Sequence, residues 1–198
     1  MVGEADERFA RAIAAIDAAN ADDPHTLVVR GAVRPKEQAH AELMTEWVRA
    51  LDPEADDAQL LAARAHHLRR WTLPRASHPE GRAGYLRWRT ALRHQHAADV
   101  AAILAEVGYG PAEIERVQAI VEKRGLGTDP AVQVHEDALC LVFLETQLAA
   151  TAGQLGDEKA VAVVRKTAAK MSPAGLAAAA ALPLEPSARA VLEAALAG

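Results

Sequence analysis

Apolar residues recur along the chain at intervals of three and four, with polar residues on the intervening positions. Nearly every segment therefore carries the period of an amphipathic helix. Phe9, Ile13 and Ile16 mark a first helix that stops before Asp22-Asp23-Pro24. A second starts near Pro35, a residue suited to a first helical turn. It sets His40, Leu43, Met44, Trp47 and Leu51 along one side and ends at Pro53. The spacing predicts a third helix over about 55–71, with Leu60, Leu61 and Ala65 inside, and then an ordered loop through Pro74, Pro79 and Gly81. A long helix over about 84–107 breaks at Gly108-Tyr109-Gly110-Pro111, and a shorter one carries Ile114, Val117 and Ile120 up to Gly125. Asp129-Pro130 opens a helix that is apolar almost all round from Ala138 to Leu144, the pattern of a buried central element. Residues 161–171, 174–181 and 187–196 read as further helices, and no segment alternates long enough to suggest a strand. The expectation is an all-α single domain over residues 1–198, a bundle of about eight helices.

Composition supports this reading. Hydrophobic residues make up 51% of the chain and aromatic residues only 4%, so Ala, Leu and Val must build the core and let helices approach closely. The single Cys140 excludes an internal disulfide framework and a cysteine-based zinc cluster, and it fits a reducing compartment. The longest apolar run, 176–182, is far short of the ~20 residues a bilayer requires. Glu4, Asp6 and Glu7 stand where a signal peptide would carry a basic flank. A cytoplasmic protein without a membrane partner is expected.

Charge is distributed unevenly. Residues 64–93 hold eight arginines against one acid, Glu80, a formal +7 in a chain of net charge −5, so the remainder carries −12. Arginine presents a planar fork that grips phosphate or carboxylate oxygens in pairs. The cluster surrounds the adjacent imidazoles His66 and His67 and points to a small anionic, phosphorylated ligand. Acidity elsewhere argues against general affinity for a nucleic-acid backbone, while the arginine cluster leaves room for a tRNA end or a nucleotide.

Helical position selects the histidines that require explanation. His40 shares a stripe with Leu43, Met44 and Trp47, and His96 shares one with Leu92, Val100 and Ile103. His67 sits between Ala63 and Trp71 at four-residue spacing, with His66 rotated about 100° toward Arg69 and Arg70. Asp137 lies with Val134, Leu141 and Leu144, and a buried carboxylate requires a metal or an arginine. A lone inward histidine is more often satisfied by a carbonyl. Three helices supplying imidazoles and a fourth supplying a carboxylate form a stronger combination. His40, His66, His67 and Asp137 are thus candidate ligands for Mn, Fe, Co, Ni or Zn, a set that does not choose among those metals. His25, His78, His94 and His135 read as loop or surface residues, and Arg82 and Arg87 as a solvated face. Arg70, Arg75, Arg89 and Lys123 are placed to bind the anion, and His96 or Glu136 to move a proton or orient a ligand.

These residues carry two resemblances. His40, then His66-His67, then Asp137 in a buried helix resembles the ordered His, His-Asp, Asp pattern of the HD superfamily of helical metal-dependent phosphohydrolases. More closely, the chain resembles the domain of unknown function 4202 family through Ala63-Arg64-Ala65-His66-His67-Leu68-Arg69-Arg70-Trp71, Pro74-Arg75, Gly84-Tyr85-Leu86-Arg87-Trp88-Arg89, Lys123 and Glu136-Asp137. The first resemblance implies an HD-like core over about 9–150, with helices over 157–197 packed on it. The sequence departs from the HD pattern at His67, where that pattern has Asp. Either His67 replaces a metal-bridging Asp and one metal is held instead of two, or the alignment slips by one residue.

Three functions fit these features. The leading expectation is a metal-dependent hydrolase of a small phosphorylated compound or nucleotide. The others are an HD-like iron-dependent oxygenase and a non-catalytic binder of an anionic metabolite or RNA end.

Overall fold

The computed structural model describes residues 3–197. Its elements are α1 (Glu4–Ala21), β1 (Thr26–Val29), β2 (Ala32–Pro35), α2 (Lys36–Leu51), α3 (Asp57–Arg64), α4 (Gly81–Val107), α5 (Pro111–Val121), α6 (Pro130–Leu155), α7 (Asp157–Ala168), α8 (Pro173–Ala181) and α9 (Pro186–Leu196). Short 3₁₀ turns at Arg70–Thr72 and Arg75–Ser77 lie between α3 and α4. The domain is all-α, as the periodicity implies, with nine α-helices in the described residues against the expected eight or so.

The helix boundaries follow local chemistry. Asp56 caps α3 by accepting the Gln59 N–H at 2.8 Å, while the Gln59 side chain accepts the Asp56 N–H at 3.0 Å. Asp129 accepts the Ala131 N–H at 3.0 Å ahead of Pro130, which occupies the first turn of α6 where no N–H is needed. The hairpin was not expected. Its strands pair antiparallel from Thr26↔Pro35 to Val29↔Ala32, too few residues for alternation to show in the sequence. Arg30 and Gly31 both have positive φ, 51° and 80°, the conformation that a two-residue hairpin turn demands.

α6 is the axis of the molecule and packs against α2, α3, α5, α7, α8 and α9. On one side Ile16, Leu61, Leu68, Leu104 and Ile120 form a core among α1, α3, α4 and α5. On the other, Leu148, Val164, Leu182 and Leu192 join α6 to the last three helices. By length and composition α6 would also pass for a membrane span, yet it carries buried Glu136 and Asp137 within this protein core.

The third helix departs most from expectation. It ends at Arg64, and residues 65–69 turn back on themselves instead of continuing to Trp71. No Pro or Gly marks the break. Tertiary partners take the backbone groups instead. The Arg69 N–H donates to the buried Asn20 side chain at 3.1 Å, and the Leu68 carbonyl accepts from His96 Nδ1 at 2.8 Å. Arg69 itself adopts φ 51°, a left-handed conformation that redirects the chain into the 3₁₀ turn at Arg70–Thr72. Gly84 then lets the loop press onto α4, since a Cβ there would lie 1.8 Å from the Pro79 carbonyl oxygen. The result is a rigid turn that presents His66 and His67 toward α2, α4 and α6.

Candidate functional site

The site starts at the N-terminus of α2. Asp23, buried below the hairpin, accepts the Glu37 N–H at 2.9 Å and so fixes the first turn of the helix. Glu37 and His40, one turn apart, both face inward and are 4% and 2% exposed. Glu37 Oε2 lies 3.3 Å from His40 Nδ1 and 3.0 Å from His67 Nδ1. Arg70 donates to His67 Nε2 at 3.2 Å and stands 3.9 Å from Glu37 Oε1. Glu37, His40 and His67 each offer a donor atom within 4.8 Å of the others. One carboxylate and two imidazoles leaving coordination positions open is a set that Fe(II) and catalytic Zn both accept, so the donor chemistry fits a divalent transition metal.

Beside this cluster the imidazoles form a floor. The His66 and His67 rings are 3.9 Å apart at their centroids, and the His67 and His96 rings 5.8 Å. His66 Nδ1 lies 3.3 Å from Nε2 of His135, which is 1% exposed. Burial favours the neutral ring throughout. It pushes His66 and His67 well below the ordinary histidine range, His96 down to about 4 and His135 to about 3. His96 Nδ1 must carry its hydrogen, because its partner is a carbonyl. His96 Nε2 is thus a lone pair, buried and without a hydrogen-bond partner.

Above the floor opens a cavity of about 500 Å³. Its cations are Arg70, Arg89, Arg93, Lys123, Lys166 and Lys170, and its only carboxylate among the lining residues is Glu136. Glu136 pairs with Lys123 and lies 3.6 Å from Lys170. Lys123 holds a costly conformation. The turn after α5 makes the paired bonds of a Schellman cap, Arg124 N–H to the Ala119 carbonyl and Lys123 N–H to that of Ile120, each at 2.9 Å. The left-handed residue of that cap is ordinarily Gly, and here it is Lys123 at φ 62°. Cys140 lines the same cavity, but burial pushes its thiol up to about 12, so it remains protonated.

The structure gathers most of the expected residues and corrects others. His66, His67, His96, Arg70, Arg89, Lys123 and Glu136 all border the cavity, while His40 stands behind it with Glu37. Asp137 was expected to be a ligand and is not with the histidines. Its oxygens accept from the Ser172 N–H at 2.9 Å, the Ser172 hydroxyl at 2.5 Å and Gln133 at 3.0 Å, which ties α8 to α6. His66, expected as a ligand from the third helix, is paired with His135 and is absent from the donor cluster. Arg75 does not reach the cavity either. Its guanidinium holds the His78 and Pro79 carbonyls at 2.9 Å each and shapes the loop. His135, expected at the surface, is fully buried because this part of α6 packs against α3 and α5. Glu37 was missed, although its three-residue spacing to His40 on one helix face was a readable signal.

The model of a family described as a domain of unknown function (DUF4202) matches residues 10–192, and the chain belongs to that family. No curated protein and no solved structure matches the chain.

Two outcomes follow from this geometry. Lys123→Gly and Lys123→Ala both remove the ammonium group, but only glycine relieves the left-handed backbone, so the Gly variant should be more stable than the Ala variant by about 1 kcal/mol in urea denaturation. His96 and His135 titrate near 6.5 when unfolded and remain neutral when folded down to about 4 and about 3. Between those values the unfolded chain binds more protons, so stability is complete above about pH 7 and falls as pH drops, roughly tenfold in the folding equilibrium per pH unit per histidine. Thermal denaturation scanned from about pH 8 to 4 should show a plateau and then a steep decline, with a shallower decline in His135→Asn.

Proposed function

We propose that this member of the DUF4202 family is a metal-dependent hydrolase of a small phosphorylated compound. One observation carries the reading: His67 belongs at once to the Glu37–His40–His67 donor cluster and to the lining of the cationic cavity. A metal-ligating set and an anion-binding pocket thus meet at one imidazole.

Glu37, His40 and His67 would hold the metal, which when bound supplies Lewis acidity and a water of lowered pKa. The chain's own groups account for the remainder. Arg70 and Arg89, with Lys123, bind the phosphoryl oxygens and stabilise the charge that develops on them. His96 borders the cavity and carries a buried Nε2 without a partner, the acceptor we assign to the proton of the attacking water. A neutral ring, held neutral by burial, is the form this step requires. Glu136 keeps Lys123 and Lys170 directed into the pocket. Leu92, Leu139 and Phe143 make part of the lining apolar, which lowers the local dielectric and strengthens these interactions.

Two other readings each have an observation in their favour. The two-histidine, one-carboxylate set also suits iron that activates oxygen, so oxygen uptake by the iron-loaded protein would mark an oxygenase. His67 already has a partner at both ring nitrogens, Glu37 and Arg70, which suits a metal-free binder of an anionic metabolite. Reconstitution with Mn, Fe, Co, Ni or Zn followed by elemental analysis and a phosphoester screen separates the three. The expected result is bound metal and turnover, with metal lost in Glu37→Gln and His40→Ala. In His96→Gln metal is retained and kcat falls by about 100-fold or more. Absence of metal and of turnover after reconstitution overturns the hydrolase.

A further inference from the structure

The cations of the cavity are supplied from two sides. Arg89 and Arg93 project from α4, with Arg70 on the 3₁₀ turn after α3, whereas Lys166 lies on α7 and Lys170 just beyond its end. These two helices belong to different parts of the bundle. α4 packs on α1 and α5, α7 packs on α6 and α9, and the cavity opens between them. Leu139 and Phe143 of α6 line the space as well, so an apolar strip accompanies the two charged walls.

The charges on these walls are not spent on one another. Arg8, Arg30, Arg34, Arg64, Arg116 and Arg124 each pair with a carboxylate elsewhere on the protein. Among the described residues Arg89, Arg93 and Lys166 have no such partner. Arg89 donates only to the Tyr85 hydroxyl, at 3.1 Å. Glu136 answers Lys123 and Lys170 alone, which leaves unanswered cations on both walls. A chain with more acids than bases places a single carboxylate, Glu136, among the residues lining this space. Like charges gathered without counter-ions repel and weaken the fold, and an anion restores the balance. A single phosphate carries about two negative charges, fewer than the three unpaired cations Arg89, Arg93 and Lys166 call for.

We propose that the cavity takes a small organic compound carrying two separated anionic groups, one held by Arg89 and Arg93, the other by Lys166 and Lys170, with its carbon skeleton along Leu139 and Phe143. This deepens the proposed hydrolase by naming its substrate class and rests on that reading of the cavity as the substrate pocket. Anchoring one end makes binding of the other intramolecular, so two-ended ligands gain affinity that one-ended ligands lack.

The test is calorimetric titration in the presence of a chelator, so that the metal plays no part. The probes are fructose 1,6-bisphosphate, fructose 6-phosphate and pyrophosphate. The bisphosphate should bind at least about tenfold more tightly than either of the others, because pyrophosphate concentrates its charge around one bridging oxygen. Arg93→Ala and Lys166→Ala, which break no ion pair, should each lower bisphosphate affinity to the level of the monophosphate. Equal affinities for the two sugar phosphates, pyrophosphate binding as tightly as the bisphosphate, or no binding of any probe overturns the proposal. Metal binding and phosphoester turnover without this preference would leave the hydrolase standing and remove only the two-ended substrate. The preference without metal would do the reverse.

Discussion

A buried carboxylate has to be answered, and in this protein the Glu37 carboxylate organises what surrounds it. It sits 4% exposed at the start of α2, where Asp23 fixes its backbone, and it faces His40 of the same helix and His67 of the turn after α3. Desolvating that charge without partners would cost several kcal/mol. The contacts that offset this cost also join the N-terminal helix pair to the turn bearing the paired histidines. Arg70 completes the arrangement from the 3₁₀ turn and brings the first cation to the cavity.

The path from chain to chemistry runs through two backbone conformations that ordinary residues avoid. Arg69 and Lys123 both adopt positive φ, the first in the turn that leads from His66 and His67 to Arg70, the second at the end of α5 on the cavity wall. Such conformations persist only where the surroundings over-determine them, and they gather at functional sites. Here the surroundings are specific: the buried Asn20 holds Arg69, while Glu136 holds Lys123. The gain is positional. The first turn lays His66 and His67 side by side, and the second sends an ammonium group back into a pocket that a helix continuing straight would leave behind.

Neutral imidazoles and uncompensated cations then complement each other. Burial and the neighbouring cations hold His66, His67, His96 and His135 in the uncharged form, so they add no further positive charge to the cavity. His96 offers a lone pair where every neighbouring cation offers donors. The proposed hydrolysis would draw on both, the donors for an anion and the acceptor for a proton.

Much of this was legible from residue order. Helical periodicity set the class of the fold and placed α1, α2, α4, α5 and α6 close to their observed bounds, because apolar spacing reports directly on a face to be buried. The run of arginines around His66-His67 announced a local concentration of positive charge, and Arg70, Arg89 and Arg93 of that run do line the cavity, since charge density is a property of the sequence itself. Tertiary structure alone decided where α3 stops, because its end is made by Asn20 and His96, residues remote in the chain, and not by a local breaker. It decided likewise that Glu37 and not Asp137 faces the histidines. Both acids share a helix face with apolar residues, and only the position of Ser172 on one side and of His67 on the other directs each carboxylate to its partner. Periodicity tells which side of a helix turns inward; it holds no information about which neighbour waits there.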